Sequence, residues 1–173
     1  KNTSVGSVFL TNSILSNTGL VFFSHANTYL PQACMSLASN DEIRTRYAES
    51  YKTFGIPSSL VADSLRVDFS QNKKYSVAQV ASINNQLPIF CVMYNKISPD
   101  GTISLMPESV INDFMQRYES AKSDFKNLTY RADYIFWGPY EKEISTISPQ
   151  KYKELELVYS KDGVEIYKIN KTK

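Results

Sequence analysis

Histidine occurs once in this chain, tryptophan once, cysteine twice and glycine six times. Each scarcity removes a class of chemistry. The lone histidine, His25, would need a serine on a sharp elbow and an acid to form a hydrolytic triad, and no Gly-x-Ser-x-Gly stretch occurs. Cys34 and Cys91 are too few for a small disulfide scaffold. They leave two readings open, one bridge closing a long loop in an oxidising compartment or two free thiols. No Cys-x-x-Cys pair is present to seed a zinc site, so no metal is expected. The glycines never fall into Gly-x-Gly-x-x-Gly after the first strand, and no Walker A motif exists, so a nucleotide cofactor is not expected either.

Charge of one sign is also missing. Lys plus Arg total 19 against 17 Asp plus Glu, a net of +2. Lys73-Lys74 and the Lys171-Thr-Lys173 end are the only local concentrations, and neither makes a basic stripe, which excludes nucleic acid as the expected partner. Long apolar runs are lacking. Leu20-Val-Phe-Phe23 and Leu87-Pro-Ile-Phe-Cys-Val-Met-Tyr94 fall well short of the roughly 20 residues a spanning helix needs. No signal peptide is visible, and the first residue is Lys1, so a piece of a larger product is the expectation.

What is present suits one globular domain over residues 1–173, with 42% hydrophobic and 21% charged residues. Twelve tyrosines and nine phenylalanines stand out. Tyrosine packs its ring and keeps its hydroxyl wet, so these residues suit either a core or an interface.

The order of elements reads as α/β. Val5–Thr11 predicts a first strand. Gly19–Ser24 predicts a second, buried on both faces and therefore parallel. Ser39-Asn-Asp-Glu42 has capping-box spacing, and Ile43, Tyr47, Tyr51 and Phe54 follow at helical intervals until Gly55-Ile-Pro57 stops them. Glu42, Arg44, Arg46, Glu49 and Lys52 form its expected wet face. Residues 59–69 suit a strand or a helix; Tyr75–Ile83 suits a modest helix and Ile89–Tyr94 a strand. Ser98-Pro-Asp-Gly101 is a turn by its chemistry, and Pro107 opens a helix with Val110, Ile111, Phe114, Met115 and Tyr118 inward. Tyr134–Trp137 predicts a strand ended by Gly138-Pro139, and Ser148-Pro149 a short helix over 149–154. Leu155–Tyr159 and Val164–Ile169 flank Asp162-Gly163, a hairpin signal. The fold class expected is an α/β three-layer sandwich with a mixed, mostly parallel sheet and a C-terminal antiparallel hairpin.

Candidate chemistry is sparse. Asp63 with Asp68, or Glu108 with Asp113, supply carboxylates for acid–base work, but nothing local sets their separation, and Glu108 suits a helix start. Asn127-Leu-Thr129 and Asn2-Thr-Ser4 match the glycosylation pattern, which matters only in a host that uses it. The segment Asp133-Tyr-Ile-Phe-Trp-Gly-Pro-Tyr-Glu-Lys-Glu143 is the most distinctive. Asp133 can hold the strand entrance. Trp137 can stack on a helix or a carbohydrate, and Glu141 can accept N–H bonds at the loop. His25, Trp137, Tyr140 and Glu141 are the candidate ligand- or interface-facing residues; no catalytic residue is assigned.

Asp133–Glu141 and the closing hairpin, with Val8–Ser13 and Ser24–Ser36 in corresponding places, resemble the soluble extracytoplasmic end of polytopic membrane glycosyltransferases. These are the enzymes related to protein mannosyltransferases and lipid-linked sugar transferases. The resemblance implies a lipid-phosphate sugar donor, catalysis by acids in an absent membrane portion, and a location on the periplasmic or extracellular face of a membrane. The implied partners are the membrane-embedded portion of the parent and a glycan or lipid-linked sugar. A stand-alone extracytoplasmic glycan- or protein-binding domain is the alternative, and a self-contained hydrolase or transferase on His25 or a carboxylate pair is a third reading.

Overall fold

The structure, a computed structural model, describes residues 3–30, 38–66 and 108–170. The expected helix at 75–83, the strand at 89–94, the turn at 98–101, Asp68 and both cysteines lie outside them. The described residues form a small α/β domain with one five-stranded mixed sheet, flanking helices and a closing hairpin.

Strand β1 is Val8–Leu10 and helix α1 is Ile14–Phe23. The expectation of a second strand at 19–24 is corrected here. An apolar run of that length does not separate strand from buried helix by its period. The topology separates them: β1 pairs in parallel with β2, Asn27–Thr28, and a parallel neighbour requires a crossover, which α1 supplies.

Helix α2, Asn40–Thr53, starts as its sequence predicts, with the Ser39 hydroxyl accepting from the Glu42 N–H at 3.2 Å. Ile43, Tyr47, Tyr51 and Phe54 are all buried. Gly55, at φ 66°, takes the left-handed turn that ends it. A Cβ there would also lie 2.5 Å from the Ile147 side chain. One residue of the expected wet face is misplaced: Glu49 is only 3% exposed. Helix α3 is Ser58–Arg66, which makes the ambiguous stretch helical as far as Arg66, with residues 67–69 outside the described residues, and α4 is Glu108–Ser120, with Ile111, Phe114 and Tyr118 buried.

Strand β3, Tyr134–Trp137, runs parallel to β1 on the side away from β2. Helix α5, Pro139–Ile144, follows immediately. Pro149–Lys151 is a single 3-10 turn, shorter than the helix expected there because Tyr152 returns to extended backbone. Strands β4, Leu155–Lys161, and β5, Val164–Ile169, form the hairpin. Asp162 and Gly163 both have positive φ, 52° and 78°, as the tight hairpin turn requires. The order is β2-β1-β3-β5-β4, and the long pairings, β3 with β5 and β5 with β4, are antiparallel. The sheet is therefore more antiparallel than parallel, contrary to the mostly parallel sheet expected. The parallel strands are short, and the hairpin supplies the wider half.

Leu10, Ile135, Trp137, Leu155, Tyr167 and Ile169 line one face and pack against α2, α3 and α4. Phe54 stacks on Trp137 at 5.8 Å and meets Phe125 edge-on at 5.6 Å. Each such side chain stabilises by about 1.5–3 kcal/mol through burial. On the other face Phe9 stacks on Tyr134 at 5.2 Å. Among the described residues no helix is long and apolar enough to cross a membrane.

Candidate functional site

The Gly138-Pro139 break is a strand-to-helix corner. Gly138 is the N-cap in extended backbone, Pro139 opens α5, and Glu141 sits three residues past the cap. The Gly138 N–H donates to Glu141 Oε2 at 3.0 Å. Glycine is needed for space: a Cβ at 138 would lie 2.8 Å from the Phe136 ring and 3.0 Å from that same oxygen. Glu141 Oε1 accepts from the Thr11 hydroxyl at 2.5 Å, so one carboxyl ties the end of β3 to the end of β1.

These two parallel strands diverge there. From β1 the chain goes to β2, and from β3 it goes to the hairpin on the opposite side. Their carboxyl ends thus form a topological switch point, where open α/β sheets commonly place ligands. In this protein the position is filled by its own polar groups. Thr11 Oγ1 accepts from the Ser13 N–H at 3.2 Å, and Asn12 donates to the Ser145 hydroxyl at 2.7 Å. Glu141 is wholly buried. Burial pushes its carboxyl above the ordinary range, while bonds from Thr11, Ser16 and Gly138 pull the other way. Asn12 Oδ1 and Asn17 Oδ1 have no hydrogen-bond partner.

The other candidate residues divide. Trp137 is 4% exposed and stacks on Phe54 inside the core. Tyr140, half exposed, is the aromatic that remains outside on this corner. His25 is exposed and precedes β2, so it lies at the opposite end of the sheet from Glu141. The strand thought to deliver it to a crevice is helix α1. The structure brings together Trp137, Tyr140 and Glu141, which are near neighbours in sequence, but not His25. Asp133 does hold the strand entrance, accepting from the Val8 N–H at 2.9 Å. Asp113 is paired with Arg44 and Arg117, both at 3.1 Å, and Glu108 occupies the first turn of α4.

A second buried carboxylate escaped sequence reading. Glu49 accepts from the Tyr29 hydroxyl, from the Thr129 hydroxyl at 2.5 Å and from the Thr129 N–H at 3.1 Å. Burial and the Glu49 carboxylate both push the Tyr29 hydroxyl far above its ordinary range. Arg46, one turn earlier on α2, does not reach Glu49. It donates to Glu42 and to the Tyr29 carbonyl, and lies over the Tyr130 ring at 4.3 Å. Glu49 lines a half-open cleft of about 230 Å³ together with Thr45, Ser120, Lys122 and Thr129. Sequence could not find it, because its partners lie 20 and 80 residues away.

Among the described residues no group of three or more His, Cys, Asp or Glu side chains could hold a metal ion. Comparison with family models, curated proteins and solved structures returns no match to this chain.

Proposed function

We propose that this chain is a non-catalytic accessory domain on the extracytoplasmic face of a membrane glycosyltransferase that uses a lipid-phosphate sugar donor. The observation that carries the reading is an exposed apolar end. Phe23 is 92% and Val5 86% exposed, and the Gly6 N–H bond to the His25 carbonyl, 3.2 Å, brings their segments side by side. Large apolar side chains so placed suit a contact with a partner; here the partner is the membrane-embedded portion of the parent. We read the architecture as a three-layer sandwich. The α1 crossover and the packing of α2, α3 and α4 on the Leu10–Ile135 face support that reading.

Reading the parent coding sequence tests the proposal: several membrane spans upstream are expected, and a parent with none overturns it. Phe23→Glu with Val5→Glu should then weaken association of the domain with that membrane portion while leaving the fold intact.

Half-exposed Tyr140 favours a second reading, a glycan-binding domain with Tyr140 as the stacking ring. Titration against a glycan panel with wild type and Tyr140→Ala decides it. Binding that survives the substitution unchanged removes Tyr140 from the site.

A further inference from the structure

Glu49 is a carboxylate 3% exposed, and none of the ion pairs among the described residues includes it. Buried charges are ordinarily paired with an opposite charge. Its neighbours are all neutral donors: Tyr29 and the N–H and hydroxyl of Thr129. Two oxygens offer about four acceptor sites, and the Thr129 N–H bridges both oxygens, at 3.1 and 3.2 Å, so these donors engage all four and what the carboxylate lacks is a countercharge. The carboxylate is not sealed in, because it forms part of the wall of the 230 Å³ cleft.

The cleft also holds an unmatched positive charge. Lys122, exposed at the rim, makes no ion pair among the described residues. Arg117, the other lining cation, is already held by Asp41 at 2.6 Å and Asp113 at 3.1 Å. The small side chains of Ala48 and Ala121 and the hydroxyls of Thr45 and Ser120 line the same cleft. The Thr45 and Ser120 hydroxyls donate to carbonyls of their own helices, Asp41 and Arg117, which leaves their lone pairs available. The volume equals several waters, or one small organic molecule.

We propose that the cleft over Glu49 binds a small zwitterion of free amino-acid type, with its ammonium group against Glu49 and its carboxylate toward Lys122. A neutral polyol brings no charge to Glu49, whereas an ammonium supplies the missing countercharge to a carboxylate only 3% exposed. The ammonium also finds Ser120 and Thr45 oxygens as acceptors. This site stands apart from the exposed apolar end and does not depend on the glycosyltransferase reading.

The test uses the full chain and backbone amide NMR, with L-serine as the probe. N-acetyl-L-serine removes the ammonium, L-serinamide removes the carboxylate, and glucose serves as the neutral polyol. Saturable shifts of the Ser120, Ala121, Lys122 and Thr129 amides with L-serine are expected at millimolar concentration. Each blocked analogue and Lys122→Ala should weaken binding about tenfold. Glu49→Gln should abolish the response. Should that variant fail to fold, Ala121→Leu, which fills the cleft, serves in its place. No saturable shift with L-serine, equal affinity for the blocked analogues, or a response to glucose alone overturns the proposal. So does Lys122 closing onto Glu49 in solution, which would appear as Lys122→Ala lowering the melting temperature of the ligand-free protein.

Discussion

Glu49 and Glu141 are built from the same parts and do different things. Each is buried, and each accepts from a threonine hydroxyl and from a backbone N–H contributed by a distant or turning segment. Glu141 closes a corner: it is wholly buried and ties the end of β3 to the end of β1 through the Thr11 hydroxyl. Glu49 sits at the wall of a cleft that water can enter. The same carboxylate chemistry is structural where packing seals it, and available for binding where packing leaves a gap. A functional acid is therefore recognised by what stands beside it, not by its burial.

The largest effect belongs to the sealed end. Trp137→Ala removes the ring stacked on Phe54 and should cost about 3–5 kcal/mol in urea unfolding. In the intact protein, tryptophan emission should be that of a buried indole and should not change on glycan titration. A ligand-dependent shift would show that this end opens.

Next is the matched pair of truncations. Glu141→Ala strands the Thr11 hydroxyl and the Gly138 N–H without access to solvent, and should cost about 2–4 kcal/mol. Glu49→Ala strands three donors, the Tyr29 and Thr129 hydroxyls and the Thr129 N–H, but water from the cleft can reach them, so about 1–2 kcal/mol is expected. Equal losses would break the comparison between sealed and open sites.

The pH dependence sharpens it further. The Glu141 carboxyl titrates above its ordinary range in the folded protein, so the folded state holds the proton more tightly than the unfolded chain. Its contribution is then fully present below the unfolded value, about 4.3, and is lost as pH rises through the folded value. Wild-type stability measured against Glu141→Gln should decline across that window. A rising difference would reverse the sign and discard the assignment. The smallest effect is at the rim: Lys122→Ala should change stability by no more than about 0.5 kcal/mol.

Much of the frame was legible in the sequence because it is locally encoded. The Ser39 cap, the Gly55 stop and the spacing of Ile43, Tyr47 and Tyr51 specify α2 with no help from the rest of the chain. Asp162-Gly163 specifies the hairpin in the same way, since few other residues tolerate two successive positive φ values. Residues 19–24 were not legible: an apolar hexapeptide fits a strand or a helix, and the parallel pairing of β1 with β2 decides it. His25 moved with that segment to the other end of the sheet. Glu49 was misread for a related reason. Its place on the helix pointed to solvent, and only the arrival of Tyr29 and Thr129 turned that position inward.

By itself the sequence determined where helices begin and stop, where the hairpin turns, and that Glu141 could reach back to its own corner, because those interactions act within a few residues. Only the tertiary structure decided the sheet order, the burial of Glu49 and the unmatched charges of its cleft. Those depend on segments far apart in the chain, and no local pattern encodes which distant surface will cover which.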